Sequence, residues 1–309
     1  MTSPAARCVL FVTHTGRPLA VAAVRSAARR FVAAGVGVRV LADEAAELGL
    51  DGAVTVPTDA AAAEGCELVV VFGGDGTLLR AAELARATRT PLVGVNLGHV
   101  GFLAEAESDG LEAAVDRMVV RDYTVEERMT VAVTVTRGGQ EVHRDWALNE
   151  ASVEKHGNEH MLDIVVEVDG RPLSRWGCDG VVMATPTGST AYAFSAGGPV
   201  VWPQVQALLL IPVSAHALFA RPMVVGPDSL LAIEVVQGPV GKGILWCDGR
   251  RSFELPSGAR VQAARGQKPV LLARLHAAPF TDRLVAKFDL PVGGWRAGRG
   301  LTAGDGPDA

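Results

Sequence analysis

The stretch Leu68-Val69-Val70-Val71-Phe72-Gly73-Gly74-Asp75-Gly76-Thr77-Leu78-Leu79 sets the fold class. Five unbroken apolar residues read as a strand covered on both faces, because a half-exposed strand would alternate apolar with polar residues. Three glycines then turn the chain, and residues 78–88 carry apolar side chains at helical spacing. The same sequence of signals occurs on either side. Residues 9–13, 38–41 and 92–95 are apolar strand runs, and 19–34 is a helical segment. Strands alternating with helices give a parallel α/β unit, whose sites lie at the carboxyl ends of the strands. Gly73 to Thr77 occupies such an end.

From about residue 128 the pattern changes to alternation with period two, as in 129–136. Gly138-Gly139 marks a turn with a return strand over 142–148, and 164–168 runs into Asp169-Gly170, a hairpin signal. Segment 208–212 is an apolar run, and 230–236, 243–247 and 260–264 keep the short-strand rhythm. The pattern predicts an α/β domain over 1–125, a β-sandwich-like domain over 126–276, and a return to the first domain over 277–292. Thr281 and Asp282 are candidate caps for a helix ending near 288. The Gly-rich polar tail 293–309 is expected to be disordered.

The chain has 309 residues, enough for two cores, with 49% hydrophobic and 20% charged residues. A net charge of −5 and the lack of any basic run argue against nucleic acid as a partner. No apolar run approaches the roughly 18 residues of a membrane helix, and no secretory signal opens the sequence. A soluble cytoplasmic protein is expected. Cys8, Cys66, Cys178 and Cys247 form no C-x-x-C pair, which fits reduced thiols and supplies no zinc ligand set.

The loop at 73–77 can cradle phosphate, since glycine amides approach an anion closely and the following helix adds its positive end. Asp75 does not serve that purpose, because a carboxylate repels phosphate. It suits a base that takes a proton from an attacking hydroxyl. A tight turn with Asp75 as a helix N-cap would use the same residues. A second cluster, Thr185-Pro186-Thr187-Gly188-Ser189-Thr190-Ala191-Tyr192 continuing to Ser195, offers hydroxyls, backbone groups and one aromatic ring to a nucleotide; a plain loop would also contain them. Asn149-Glu150 at a strand end presents donors and acceptors that can read an adenine edge or hold ribose hydroxyls.

Together these segments resemble the NAD kinase family. The resemblance rests on GGDGTLLRAAELA at 73–85, GVNLGHVGFLAE at 94–105, LNEASVEK at 148–155 and GCDGVVMATPTGSTAYAFSAGGPVVWP at 177–203. HALFARP at 216–222 and CDGR at 247–250 continue it. The resemblance implies a Rossmann-like, phosphofructokinase-like amino-terminal domain and a β-rich carboxyl-terminal domain. It implies phosphoryl transfer from ATP or polyphosphate to the 2′-hydroxyl of the adenosine ribose of NAD, giving NADP. Mg²⁺ would ride mainly on the donor phosphates, with no protein ligand assigned to it.

By the same resemblance Asp75 is the proton acceptor, Gly76 and Arg80 lie by the dinucleotide, and Gly73, Gly74 and Thr77 face the phosphate donor. Asn149 and Glu150 bind adenosine. Asp179 lies by the nicotinamide riboside, in some members from across a subunit interface, and Thr190, Ala191, Tyr192 and Ser195 belong to the adenine and ribose loop. Phe102 and His160 line the dinucleotide site. A homodimer or homotetramer is implied. Arg250 stands where Gln is common, and Gly177 where some members have a basic residue. The Gly-Gly-Asp-Gly-Thr loop also occurs in lipid kinases, which leaves a diacylglycerol-type kinase as one alternative and a non-catalytic NAD(P)-binding protein as another.

Overall fold

The computed structural model describes residues 7–96, 101–107, 110–157, 160–236, 242–276 and 279–292. The tail expected to be disordered, 293–309, lies outside the described residues. None of the described helices is long and apolar enough to cross a membrane.

The first domain contains β1 (Cys8–Thr13), β2 (Gly37–Leu41), β3 (Val54–Val56), β4 (Leu68–Phe72), β5 (Leu92–Asn96), β6 (Ala104–Glu107) and β7 (Thr124–Arg128). Helices α1 (Pro18–Ala33), α2 (Ala45–Leu48), α3 (Asp75–Ala85) and α4 (Leu111–Val119) connect them. Every residue of β4 is buried, because apolar clusters cover both faces of the sheet. Phe11, Phe31 and Phe72 pack on one face, with Phe11 edge-on to both neighbours. On the other face, Leu78, Leu79 and Ala82 of α3 meet Leu10, Val69 and Val71.

The second domain contains β8 (Val131–Arg137), β9 (Gln140–Ala147), β10 (Glu150–His156), β11 (Leu162–Val168), β12 (Arg171–Cys178) and β13 (Gly180–Ala184). It continues through the short helix α5 (Tyr192–Ser195), then β14 (Leu208–Val213), β15 (Met223–Val225), β16 (Leu231–Val235), β17 (Lys242–Cys247), β18 (Arg251–Leu255) and β19 (Ala259–Arg265). Two six-stranded antiparallel sheets, β15-β14-β13-β10-β17-β18 and β12-β11-β16-β19-β8-β9, share one core around the fully buried Trp176. This is the expected sandwich. Both predicted hairpin turns have two consecutive residues at positive φ, Gly138 (58°) and Gly139 (80°), then Asp169 (53°) and Gly170 (73°).

The chain returns to the first domain as β20 (Val270–Arg274), giving the sheet order β3-β2-β1-β4-β5-β20-β7 with β6 also on β5. The first sheet therefore reclaims residues 124–128 and 270–274, so the expected boundaries at 125/126 and 276/277 do not coincide with the sheet's own. β20 runs parallel to β5 but antiparallel to β7, which makes the sheet mixed at that end. The final helix, α6 (Phe280–Phe288), is capped by Pro279 without a side-chain bond; Thr281 and Asp282 fall inside its first turn. It packs on both domains: Phe280 and Phe288 meet Phe102, Phe288 stacks on Phe194, and Phe280 meets Trp202.

Candidate active site

Strand order reverses between β1 and β4, so their carboxyl ends open a crevice where neighbouring connections diverge to opposite faces. β4 delivers Gly73 there, and its amide donates to the Val95 carbonyl at 3.0 Å. A Cβ on Gly73 would fall well under 3.0 Å from the Thr77 hydroxyl, so the first turn of α3 closes only over glycine. Gly74 is the N-cap of α3, and its carbonyl accepts from Thr77 and Leu78. Asp75 is therefore the first helical residue and not the cap. Its half-buried carboxylate accepts the Phe102 amide at Oδ2 (3.1 Å) and the Leu103 amide at Oδ1 (3.2 Å). Two amide donors fix the carboxylate and leave about half of its roughly four lone-pair positions available. Gly101 makes room, since a Cβ there would lie 2.5 Å from Oδ1. Gly76 is exposed beside it.

Arg80, further along α3, reaches the turn that follows β2. Its guanidinium bonds Glu44 Oε1 and Asp43 Oδ2, each at 2.6 Å. Glu44 is 1% exposed and also accepts the Thr13 amide at 2.8 Å. Burial pushes the Glu44 carboxyl up to about 7, against the pull of Arg80. Beside the loop the sheet thus holds a buried network anchored at Thr13, the last residue of β1.

Asn149 and Glu150 are clamped from two sides. The Thr185 amide donates to Asn149 O at 2.9 Å and its hydroxyl to Leu148 O at 2.6 Å. From the other side the Asp248 carboxylate accepts the amides of Leu148 (2.9 Å), Asn149 (2.7 Å) and Glu150 (3.4 Å). Leu148 is fully buried against Leu78, Leu79 and Leu103, which seats the clamp over α3. The backbone N–H and C=O of Asn149 are thus both committed within the protein. Glu150 is 7% exposed, and its Oε2 is buried without a hydrogen-bond partner. Burial, then the nearby Asp248 carboxylate, pushes Glu150 up to about 8, against the Tyr192 amide. Asp248 accepts three amides, so the negative charge belongs there and Glu150 is the protonated member.

A carboxyl raised from about 4.5 to about 8 keeps its proton in the folded chain while the unfolded chain loses it. Stability from this group therefore falls as pH rises between those values, by up to about 1.4 kcal/mol per pH unit, and the full penalty is present above about 8. Glu150→Gln is expected to be more stable than the parent at pH 8, with the difference shrinking towards pH 5. Urea unfolding at pH 5, 6.5 and 8 checks this. A difference independent of pH would show that Glu150 is ionised throughout.

Residues Thr187–Thr190 form a single 3₁₀ turn, and Thr190 Oγ1 bonds the Thr187 carbonyl at 3.4 Å. Ala191 precedes α5, whose half-buried Tyr192 brings its amide close to the Glu150 carboxyl. Burial, then the charges of Glu154, Glu150 and Asp179, raise the Tyr192 phenol, so Tyr192 and these acids share one neighbourhood. Asp179, between β12 and β13, is held below the usual carboxylate range by its bond to Lys155, whose Nζ is 2.6 Å away. Ser195 is exposed at the end of α5. His160 is exposed just before β11; next to it, Met161 lies against Gly177, two residues before Asp179. Arg250, placed where Gln is common, bonds Glu83 of α3 at 3.0 Å.

The predicted residues thus fall into two groups. Gly73 to Thr77 and Phe102 surround Asp75, while Asn149, Glu150, Tyr192 and Asp179 gather at the edge of the sandwich. The aromatic chain Phe102–Phe288–Phe194 links them, with ring centroids 5.7 Å and 4.7 Å apart. Three contributors carry no expected role from sequence, Asp248, Gly101 and Glu44, and Thr185, expected to offer its hydroxyl to a nucleotide, spends it on the Leu148 carbonyl. Asp248 has a visible signal, an Asp-Gly pair with both φ positive (54° and 61°), but its partners lie 98 to 100 residues away. Among the described residues no group of three or more His, Cys, Asp or Glu could hold a metal alone. A cation carried on donor phosphates needs no such cage, and the available lone pairs of Asp75 fit a single contact to it.

The chain matches family models for the ATP-NAD kinase N-terminal domain over residues 9–123 and the ATP-NAD kinase C-terminal domain over 148–275. It is 61% identical over 298 residues to NAD kinase 2 of Streptomyces coelicolor, covering 96% of this chain and 99% of that protein. It is 60% identical to the NAD kinase of Thermobifida fusca, covering 94% and 91%. Among solved structures, yeast NADH kinase complexed with NADH superposes with a TM-score of 0.84 at 21% identity, covering 93% of this chain and 88% of that one. The NAD kinase of Archaeoglobus fulgidus in complex with ATP superposes with a TM-score of 0.68 at 26% identity, covering 92% and 98%. Matched in both domains and across nearly its whole length, the chain belongs to the NAD kinase family.

Proposed function

We propose that this chain transfers the terminal phosphoryl group of ATP to the 2′-hydroxyl of the adenosine ribose of NAD, releasing NADP and ADP. The observation that carries this reading is the carboxylate of Asp75, fixed by two amides at the switch point beside a glycine loop. The adenosine half of NAD binds along the Asn149–Glu150 clamp, where the Asn149 side-chain amide and the protonated Glu150 offer both donors and acceptors. The half-buried Tyr192 and the 190–195 turn flank the base and ribose. Phe102 and His160 line the dinucleotide path, and Asp179 faces the nicotinamide riboside. Gly73, Gly74 and Thr77 lie towards the donor phosphates, with Gly76 and Arg80 next to the acceptor.

Asp75 orients the 2′-hydroxyl and takes its proton as the O–P bond forms and the bond to ADP breaks. Mg²⁺ on the donor oxygens supplies charge neutralisation when bound. The Gly74 amide and the positive end of α3 act on the same charge, and phosphoryl transfer depends mostly on such positioning. The lipid-kinase alternative accounts for the glycine loop but gives no use to Asn149, Glu150 and the 185–195 segment. A homodimer or homotetramer is supported by Leu218, which is fully exposed, and Phe219, which is half exposed, on a segment that bridges to Gly177 beside Asp179.

The test is NADP formation by the purified protein with NAD, ATP and Mg²⁺, with polyphosphate as a second donor and diacylglycerol as a parallel acceptor. NADP from ATP with no phosphatidic acid is the expected outcome. Phosphatidic acid without NADP would replace this reading by the lipid kinase, and neither product by the non-catalytic binder.

A further inference from the structure

A cavity of about 350 Å³ lies between the β7–β20 end of the first sheet, the first turn of α6 and the turn carrying Gln204. Its described lining includes Arg128, Arg274, Arg283 and His276, with Glu126 as the carboxylate. Arg128 is 3% exposed. Only its Nη2 has a hydrogen bond, to Glu126 at 3.1 Å, while Nε and Nη1 are buried with no partner. Glu126 is shared, because Arg274 Nε also donates to it at 2.7 Å and Gln204 at 3.3 Å. Burial and then the charges of Arg274 and Arg283 pull the Arg128 guanidinium down to about 10.

A buried guanidinium with two unused nitrogens is costly, and the arrangement suits a ligand that brings the missing acceptors. A carboxylate would supply two oxygens; a phosphate-class anion supplies three or more, with the charge to match several guanidiniums. None of Asp75, Asn149, Glu150 and Tyr192 lines this cavity. We propose that the cavity between β7, β20 and α6 is a second binding site, specific for a small multivalent oxyanion of the phosphate class held by Arg128, Arg274 and Arg283. Its route to the reacting atoms is short: Arg283 Nη1 donates to Phe102 O at 3.0 Å, and the Phe102 amide holds Asp75.

The experiment is calorimetric titration of the full-length protein with inorganic pyrophosphate in metal-free buffer, repeated on Arg128→Met and Arg274→Gln. ATP·Mg²⁺ is titrated in parallel. Arg128→Met removes a charge that is poorly compensated in the empty site, so the variant is expected to fold; Arg274→Gln gives the same reading should it not. Pyrophosphate is expected to bind the parent and to bind both variants about 10- to 100-fold more weakly, with ATP affinity within about twofold of the parent. Equal pyrophosphate affinity in parent and variants, or no binding to the parent, overturns the site. Because ATP binding is followed separately, a failure of the kinase assignment would leave this result readable.

Discussion

Asp75→Asn is expected to lose roughly 10²- to 10⁴-fold in kcat, the usual contribution of a positioned base, while NAD affinity stays within a few-fold. The substitution keeps the shape and the place at the first position of α3, so the glycine loop keeps its course. It removes the charge that accepts the proton. It also disturbs the support, since Phe102 and Leu103 both donate to the carboxylate and an amide has only one oxygen to accept them. One N–H then faces an NH₂ group, at a cost of about 1–3 kcal/mol to the 101–103 segment. Loss of a base and collapse of its support differ in NAD binding, so turnover by NADP formation is to be measured together with calorimetric NAD affinity. Turnover within about threefold of the parent would remove Asp75 from the base role. Gly101→Ala provides an independent approach: its Cβ, 2.5 Å from Oδ1, displaces the carboxylate without changing its charge, so kcat falls with Asp75 intact.

The first sheet was legible because β1, β4 and β5 are nearly unbroken apolar runs, and burial on both faces leaves that imprint. The reading of 78–88 as helix begins three residues late. The helix starts at Asp75 because Gly74 caps it through its carbonyl, and a glycine cap has no side chain to announce itself. Residues 270–274 fall within the expected sandwich domain but join the first sheet: β20 is short, and its choice between the two depends on partners in β5 and β7, more than 140 residues earlier in the chain. α4 carries Leu111, Ala114, Val115 and Met118 at helical spacing, a periodicity that the strand runs on either side obscure. In the site, the glycine loop announces itself because its chemistry is local. The pairing of Arg80 with Asp43 and Glu44, and the hold of Asp248 on Asn149, are side-chain contacts between segments far apart in the chain that no local pattern encodes.

Gly188→Ala is expected to do most damage to the second half of the site. Its Cβ would stand well under 3.0 Å from the carbonyl oxygen and carbon of Asn149, and 2.8 Å from its Cα. All three are backbone atoms, so no rotamer change relieves the overlap. Nor can that backbone retreat, since Asp248 holds its amides and Thr185 its carbonyls. Relief comes only by lifting the 185–190 turn off the 148–150 strap, which breaks the Thr185 bonds and shifts Tyr192 away from Glu150. Overpacking of this kind costs about 1–3 kcal/mol or more, so a fall of several degrees in Tm is expected together with at least tenfold weaker NAD binding. ATP binding at the glycine loop of the first domain should persist. Gly226→Ala is the control, as no atom lies within 4 Å of its Cβ, and it should melt with the parent. If Gly188→Ala also melts with the parent and binds NAD normally, the strap is not what presents Asn149, and the dinucleotide must be gripped elsewhere.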